Sequence, residues 1–493
     1  MKTGFDNDLY VQKQTESILK RVEMFDEKLY IEFGGKLFDD FHASRVLPGF
    51  SPNAKINILK HLKNKTEIIL CISSNDIERD KIREDFGITY CEEVLRLIKN
   101  LRGEGLTVCA IVITLFKDQP KAKQFGNKLA SMGEQVYYHR YTKGYPTNVD
   151  VIVSEEGYGA NPYIKTTAPI VVVTAPGPCS GKLATCLSQL YHEYKRGVKA
   201  GYAKFETFPV WDLPLNHPVN IAYEAATADL KDVNIIDPFH LQAYNKTVVN
   251  YNRDVESFPV LKNILKRITN TVVYNSPTDM GVNAVGSAIT NDEVVKNAAK
   301  QEIIRRYYVA ACDQKLNGGD NSVVERLEFL MGECEIETKD RDVAVVANQL
   351  CKQANTEVCA IKLCDDRIVT GKMKNILSCT ASCILNALKT LAGIVDEKQL
   401  ISENVLKPIL KLKSETLAIK TSVLTVEDVL IALSICATTD EFAKKALDQL
   451  KKLSGCEMHC SYMLSKKEEK LLKRIKIHIT CEPKTLDNAM LEW

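Results

Sequence analysis

Short apolar segments alternate with amphipathic ones along the first 200 residues. The apolar segments are rich in Val, Ile and Tyr, and several show no polar alternation, which is typical of strands buried on both faces of a sheet. They are KLYIEF (28–33), EIILCIS (67–73), TVCAIVIT (107–114), QVYYHR (135–140), VDVIVS (149–154) and IVVVT (170–174). Helical patterns lie between them, such as CEEVLRLIKNL, PKAKQFGNKLASM and GKLATCLSQLYHEYKRG. This alternation predicts an α/β fold with a doubly wound, mostly parallel sheet.

The strand pattern fades after about residue 215 and returns after about residue 330. Segments such as PVNIAYEAATADL and DEVVKNAAKQEIIRRYYVAA have a helical period, and LNGGDNS (316–322) is the clearest linker of the chain. EVCAIKLC then indicates a strand, SCTASCILNALKTLAG a helix, and the last 40 residues a strand, a helix and a strand. The pattern predicts three domains: an N-terminal α/β domain (1–214), a mainly helical domain (215–320) and a C-terminal α/β subdomain (321–493).

Composition and charge exclude several classes of protein. The 493 residues are 45% hydrophobic and 26% charged, as in ordinary globular proteins. Sixty-five basic residues against 63 acidic ones give a net charge of +2, which provides no field for binding nucleic acid or a membrane surface. The apolar stretches are too short to span a bilayer, and MKTGFDNDLY lacks the apolar core of a secretory signal. We therefore expect a cytoplasmic protein that binds neither nucleic acid nor membranes.

Sixteen cysteines are the one unusual feature of the composition. Many occupy apolar positions, where a free cysteine packs as a small hydrophobic residue, so reduced and mostly buried thiols are expected. Near the C-terminus, Cys456, His459, Cys460, His478 and Cys481 are residue types that bind zinc. Strand alternation would place close neighbours among them on opposite faces, so no metal site is predicted.

The strongest local signal for chemistry is IVVVTAPGPCSGKLATCLSQL (170–190). A buried strand leads into a Gly/Pro loop, and Gly181 and Lys182 then open an amphipathic helix. In a P-loop, backbone N–H groups at such a helix N-terminus hold phosphate and the lysine supplies positive charge. The alternative is a tight turn between strand and helix, in which the glycines serve geometry alone.

The match to the P-loop pattern is imperfect. Pro176 stands where the first glycine is expected, and Leu183 replaces the hydroxyl residue that normally binds Mg²⁺. Ser180 and Thr185 lie nearby and are considered as substitutes for that hydroxyl. ATP or another nucleotide, with Mg²⁺, is the cofactor considered for this loop. The predicted binding residues are Gly177, Ser180, Gly181, Lys182 and Thr185.

Two further groups of polar residues are candidates for catalysis. Glu155 and Glu156 follow the predicted strand VDVIVS, an apolar strand followed by acid that resembles a Walker B segment. The segment LFDDFHASRVLPGF contains Asp39, His42 and Arg45, a combination suited to acid–base chemistry or to binding an anion. The alternative for this segment is a polar turn in which aspartate caps a helix.

Several long strings carry a resemblance to a known family. They include YIEFGGKLFDDFHASRVLPGF, IVSEEGYGANPYI, VVTAPGPCSGKLATCLSQLYHEYKRG, AGYAKFETFPVW, IDPFHLQAY and SPTDMGVN. Over nearly its whole length the chain resembles the bacterial domain-of-unknown-function 1846 family, also called uncharacterised protein family 0371. The resemblance implies a multidomain α/β protein with a helical insertion and a distinct C-terminal subdomain, and it transfers no activity. It also leads us to expect glycine at the position of Cys179.

The sequence thus favours an enzyme that binds a small phosphorylated molecule and catalyses phosphoryl transfer or phosphate-ester hydrolysis. The alternative is a non-catalytic protein for ligand sensing or assembly, in which the same loop binds an anion. In either case we expect a homo-oligomer. A dinucleotide-dependent enzyme is disfavoured because no G-x-G-x-x-G motif follows a strand.

Overall fold

The chain forms two compact units. The computed structural model describes residues 3–25, 28–83, 87–318, 321–374, 376–419 and 423–485. Unit 1 comprises Lys2–Ala299 and unit 2 comprises Lys300–Trp493. The division falls within one helix, and the three-domain division stays a prediction. Among the described residues, no helix has both the length and the apolar character needed to cross a membrane.

Unit 1 is built on a parallel sheet. Its strands are β1 (Leu29–Phe33), β2 (Thr66–Ser73), β3 (Ile82–Arg83), β4 (Ile88–Thr89), β5 (Thr107–Thr114), β6 (Val136–Tyr138), β7 (Ile170–Thr174), β8 (Gly201–Phe205), β9 (Asn234–Ile236), β10 (Val249–Tyr251) and β11 (Gly281–Val282). Seven strands form the sheet in the order β11-β8-β1-β7-β2-β5-β6, and every pairing in it is parallel. The other four form two antiparallel pairs, β3–β4 and β9–β10.

Helices connect and flank these strands. They are α1 (Asn7–Glu23), α2 (Phe41–Val46), α3 (Ala54–His61), α4 (Ser74–Glu78), α5 (Tyr90–Gly103), α6 (Pro120–Ser131), α7 (Val149–Ile152), α8 (Lys182–Lys195), α9 (Pro218–Ala226), α10 (Pro238–Tyr244), α11 (Asn252–Thr269) and α12 (Pro277–Met280). The helix α13 (Asp292–Asn317) contains the division between the units. Local signals fix several of their ends: Thr89 and Glu92, for example, form a capping box at the start of α5.

The predicted α/β class and the large parallel sheet are confirmed. Five of the six predicted strands are present as β1, β2, β5, β6 and β7. The strand predicted over 149–154 is wrong, because this segment forms the short helix α7, whose N-cap Asn148 accepts a hydrogen bond from the amide of Val151. The sequence pattern also missed β8, in which Lys204 interrupts the apolar run.

Unit 2 contains a smaller, mixed sheet in the order β13-β12-β14-β15. Its strands are β12 (Val358–Lys362), β13 (Ile368–Lys372), β14 (Glu457–Cys460) and β15 (His478–Cys481). Its helices after α13 are α14 (Ser322–Glu333), α15 (Asp342–Ala354), α16 (Cys379–Ala392), α17 (Glu403–Lys411), α18 (Val426–Cys436), α19 (Glu441–Leu447) and α20 (Lys466–Arg474). The predicted helix ending at Gly393 is confirmed as α16, since Gly393 adopts the left-handed conformation typical of a C-cap.

Half of the cysteines are buried packing residues. All sixteen are free thiols, and eight of them are buried. Five belong to the hydrophobic core of unit 2: Cys359, Cys379, Cys383, Cys456 and Cys460.

Candidate functional site

The candidate site of unit 1 surrounds the N-terminus of α8. Strand β7 lies between β1 and β2 in the sheet and leads through residues 175–181 into α8. After β7 the chain crosses to β8, on the β1 side of the sheet. After β2 it crosses to β5, which lies in the opposite direction along the sheet. In open parallel sheets, a point where connections leave in opposite directions forms a crevice at the carboxyl ends of the strands, and ligands bind there.

Both glycines of the loop are required by close packing. Gly181 adopts φ +80°, and a Cβ atom on it would lie 2.8 Å from the side chain of Thr114. A Cβ on Gly177 would lie 2.3 Å from the hydroxyl oxygen of Tyr90. The hydroxyl of Thr114 donates a hydrogen bond of 2.8 Å to the carbonyl oxygen of Ser180, which ties the loop to β5. The loop therefore packs closely against Tyr90 of α5 and against the end of β5.

The two hydroxyls considered for Mg²⁺ have other roles. Ser180 donates to the carbonyl oxygen of Gly177 at 2.7 Å, and Thr185 donates to that of Gly181 at 3.0 Å. Both residues are buried. Their hydroxyls therefore shape the loop and the first turn of α8, and they do not fit the metal-binding role of a P-loop hydroxyl.

The first turn of α8 offers hydrogen-bond donors to an anion. No side chain caps this turn in the described part of the chain, so its amides have no side-chain acceptor. Cys179 precedes the turn, is exposed and adopts φ +54°, a conformation that favours glycine. Glycine at this position, as the family resemblance leads us to expect, would suit the backbone.

Lys182 brings a positive charge to the same place. Its Nζ lies 3.6 Å from Oε1 of Glu32 on β1, and only 11% and 13% of the two side chains are exposed. Oε2 of Glu32 accepts a hydrogen bond of 3.1 Å from the hydroxyl of Tyr202 on β8. A lysine–carboxylate hydrogen bond is usually about 2.8 Å long, so the contact is an ion pair and not a tight hydrogen bond.

A second charged group adjoins Glu32, and the sequence reasoning missed it. Glu32 lies opposite Lys204 in the register of β1 and β8, so both side chains point to the same face of the sheet. Nζ of Lys204 lies 3.0 Å from Oε1 of Glu206 and also contacts the carboxylate of Asp254 and the hydroxyl of Tyr251. Glu206 is 5% exposed, whereas Lys204 and Asp254 are 20% and 19% exposed, so the group borders solvent.

Burial and neighbouring charges perturb this group. Burial raises the pKa of Glu206 to about 7, with Lys204 opposing the shift and Asp254 adding to it. Burial alone would lower the pKa of Lys204, but Asp254 and its other anionic neighbours hold that pKa well above its usual value. Lys204 is therefore an ammonium ion at neutral pH, while Glu206 gains and loses a proton near pH 7. Such a carboxyl group suits general acid–base catalysis.

His42, one of the predicted catalytic residues, is linked to this group through aromatic rings. Its ring packs edge-on against Phe208 with centroids 5.5 Å apart, and Phe208 stacks on Tyr223 at 5.7 Å. Tyr223 in turn lies 6.3 Å from Tyr251, whose hydroxyl contacts Lys204. Helix α2 and the end of β8 thus contribute to one region of unit 1.

The other members of that predicted cluster lie in the turn before α2 and in α2 itself. Asp39 adopts φ +57°, and its carboxylate is 4.0 Å from the guanidinium of Arg96. The next residue, Asp40, caps α2, and its carboxylate lies 3.1 Å from Nζ of Lys55. Arg45 is half-buried in the last turn of α2. Aspartate capping, considered above as the alternative for this segment, is therefore present at Asp40.

Glu155 and Glu156 lie near the C-terminal end of α8, whereas Lys182 lies at its N-terminal end. Oε1 of Glu155 is 3.0 Å from Nζ of Lys195, the last residue of that helix. At 1.5 Å per residue, Lys195 lies about 20 Å along the helix from Lys182. The side chains of Glu155 and Glu156 are 74% and 69% exposed. The Walker B comparison rested on a strand over 149–154, and the structure has a helix there.

The C-terminal histidine His459 lies in the interior of unit 2. His459 is buried, with Nδ1 2.9 Å from the hydroxyl of Thr480 and Nε2 3.4 Å from Glu482. Throughout the described ranges, no group of three or more His, Cys, Asp or Glu side chains could hold a metal ion.

Comparisons with known proteins cover the whole chain. The family model "Domain of unknown function DUF1846, N-terminal" matches residues 3–335, and the corresponding C-terminal model matches residues 339–490. A UPF0371 protein of Clostridium botulinum strain Langeland is 55% identical over 499 aligned residues, covering 99% of both chains. A UPF0371 protein of Clostridium tetani is 55% identical over 492 aligned residues, covering 98% of both. The chain therefore belongs to the DUF1846 family of UPF0371 proteins.

Proposed function

We propose that unit 1 binds a small phosphorylated molecule at the N-terminus of α8 and acts on its phosphate ester. The observation that carries the proposal is the position of Lys182. It places an ammonium group beside the uncapped first turn of a 14-residue helix, at the carboxyl ends of the central strands. Unsatisfied amides, the helix dipole and a lysine together favour a bound anion.

The charged group around Lys204 supports a reaction at this site. Glu32 contacts Lys182 and lies beside Lys204, so the phosphate-binding region continues into the Glu206–Asp254 pair. A carboxyl group that is partly protonated near pH 7 can donate a proton to the leaving oxygen of a phosphate ester and recover it afterwards. Phosphoryl transfer to a second substrate uses the same groups. No step requires a metal bound by Ser180 or Thr185.

A thermal-shift series with nucleotides and sugar phosphates tests the binding step. A ligand at 100 times its dissociation constant stabilises the fold by about 2.7 kcal/mol, or about 5 °C for a unit of this size. We expect such stabilisation in the wild type and its loss in Lys182→Ala. Lys121→Ala is the matched control, because Lys121 also lies in the first turn of a helix that follows a strand of the sheet, here α6 after β5, and it is 49% exposed. If no phosphorylated compound stabilises the wild type, the proposal is wrong.

Turnover is tested with the compounds that bind. We expect release of inorganic phosphate, or its transfer to an acceptor, by the wild type. Loss of a general acid typically slows a reaction by about 10² to 10⁴. Glu206→Gln should therefore keep the thermal shift and lose most of the rate. A ligand that stabilises the protein but is not turned over in any assay would favour the alternative, a ligand-sensing protein.

A further inference from the structure

Two cysteines of unit 2 meet at one end of its sheet. Cys364 lies in the turn between β12 and β13, and Cys456 directly precedes β14. Strands β12 and β14 pair antiparallel, with Lys362 opposite Glu457, and this register brings the two cysteines together although they are 92 residues apart in sequence. Their sulfur atoms lie 3.9 Å apart. The fold therefore places two free thiols in van der Waals contact.

Hydrogen bonds hold both cysteines in this arrangement. The carbonyl oxygen of Cys456 accepts a hydrogen bond of 2.9 Å from the amide of His478, which anchors the backbone of Cys456 to β15. Both thiols point to one acceptor, the carbonyl oxygen of Lys452, which lies 3.8 Å from Sγ of Cys364 and 3.6 Å from Sγ of Cys456. A disulfide bond is about 2.0 Å long. Because the sulfur atoms are already in contact, side-chain rotation brings them to that distance with little backbone movement.

The two thiols differ in their access to solvent. Cys364 is exposed, whereas Cys456 is 1% exposed. Burial raises the pKa of the Cys456 thiol to about 12, and the neighbouring Cys364 adds to this shift. Cys456 is therefore a protonated thiol at neutral pH. A reagent in solution reaches Cys364 first, and the reactive form of that residue is its thiolate.

A second close pair of thiols, Cys379 and Cys460, lacks this access. Their sulfur atoms are 3.5 Å apart, which is closer than in the first pair. The two residues are 1% and 0% exposed and belong to the hydrophobic core of unit 2, so a dissolved oxidant reaches neither thiol in the folded protein. Contact between thiols and access from solvent coincide at Cys364 and Cys456.

We propose that Cys364 and Cys456 are a redox-sensitive modification site, which a low-molecular-weight disulfide such as glutathione disulfide converts into a disulfide bond. The thiolate of Cys364 attacks one sulfur of the reagent and displaces a thiolate, which takes up the proton that Cys364 lost. Cys456 then gives up its proton and attacks Sγ of Cys364, and the second thiol leaves with that proton. The two protein thiols lose two electrons and two protons, and the disulfide of the reagent gains them.

The new bond changes the connectivity of unit 2. It joins the turn before β13 to the start of β14 and closes a loop that contains α16, α17, α18 and α19. A cross-link of this span restricts the unfolded chain and thereby stabilises the folded one. In a reducing compartment such a bond is transient and is typical of redox sensing. The site belongs to unit 2 and does not depend on the function proposed for unit 1.

Peptide mapping of the full chain after incubation with glutathione disulfide tests the site. Remaining thiols are alkylated, and the chain is digested with trypsin without reduction. Trypsin releases Cys364 in the peptide 363–367 and Cys456 in the peptide 453–466, which also contains Cys460. We expect these two peptides to be joined by a bond that fragmentation assigns to Cys456, and dithiothreitol to separate them.

Single substitutions distinguish the roles of the two thiols. In Cys456→Ser, glutathione should stay attached to Cys364, because no second thiol displaces it. In Cys364→Ser, the buried Cys456 should stay unmodified. The amount of joined peptide should fall at least about tenfold in both variants and change less than about twofold in Cys179→Ser, which removes the exposed thiol of unit 1. Because Cys364 lies in an exposed turn, Cys364→Ser should have the circular dichroism spectrum of the wild type.

The proposal is overturned if the wild type forms no joined peptide, whether both peptides stay unmodified or glutathione persists on Cys364. A bond to Cys460 in place of Cys456 would overturn it as well, and so would modification of Cys456 in Cys364→Ser. The function proposed for unit 1 fails separately, when no phosphorylated compound stabilises the wild type.

Discussion

Replacing Glu206 with glutamine should change how the stability of unit 1 depends on pH. Burial raises the pKa of Glu206 in the folded protein to about 7, against 4.5 for an ordinary glutamate. Between these pH values the folded form holds a proton that the unfolded form has lost, so the free energy of unfolding falls as pH rises. Each pH unit is worth about 1.4 kcal/mol, which gives a loss of about 3 kcal/mol by pH 7. Glutamine keeps the shape and hydrogen-bonding capacity of the side chain, carries no charge and should abolish this loss.

Urea unfolding at pH 5 and pH 8 measures the effect. The chain contains two tryptophans, and Trp211 lies in unit 1. With Trp493 replaced by phenylalanine in all samples, tryptophan fluorescence therefore follows unit 1. The difference in unfolding free energy between the two pH values should be about 2.5 kcal/mol smaller in Glu206→Gln than in the parent, because the unfolded glutamate has already lost most of its proton at pH 5. Other groups with shifted pKa values, such as Glu357, are present in both proteins, so their contributions to the pH dependence cancel when the two are compared. Equal differences in the two proteins would refute the reasoning.

Substitutions at Cys179, Gly371 and Arg341, with Gly332→Ala as a control, test packing and backbone geometry. Circular dichroism follows the thermal and urea denaturation of each variant. Cys179→Gly should leave stability unchanged or raise it by up to about 1 kcal/mol, whereas Cys179→Val should lower it, because Cys179 has φ +54°. Gly371→Ala should cost about 3 kcal/mol, because its Cβ would overlap the backbone of Cys383, whereas Gly332→Ala, with open space around it in α14, should gain about 0.5 kcal/mol. Arg341→Met should cost about 3 kcal/mol, because it removes a fully buried guanidinium that pairs with Glu457 and donates a hydrogen bond to Thr480. Gains where losses are expected would contradict these assignments.

The sheet could be predicted wherever burial left a plain signal. Strands β2, β5 and β7 are nearly continuous apolar runs because both of their faces are covered. Strand β8 was missed because Lys204 lies within it, and the charge is balanced by residues far away in sequence. The segment 149–154 gave the opposite error: its β-branched residues favour a strand locally, but the cap at Asn148 starts a helical turn.

The candidate site was predictable only in its local part. The strand–loop–helix around Gly181 and Lys182 is contiguous in sequence, so its pattern indicates its structure. The group of Glu32, Lys204 and Asp254 spans more than 200 residues and comes together through the register of β1 with β8 and the position of α11. One sequence signal was present: YIEF and YAKF each place a charge one residue before the end of an apolar strand. In a parallel sheet such charges lie at the carboxyl edge, where ligands bind.

The central claim is that phosphate binds at the N-terminus of α8 beside Lys182. A crystal structure of the protein with the phosphorylated compound that stabilises it most would test this claim directly. The account predicts phosphate oxygens about 2.8 Å from Nζ of Lys182 and within hydrogen-bond distance of the first-turn amides of α8. Density for the compound elsewhere in unit 1, with no ligand at this helix N-terminus, would contradict it.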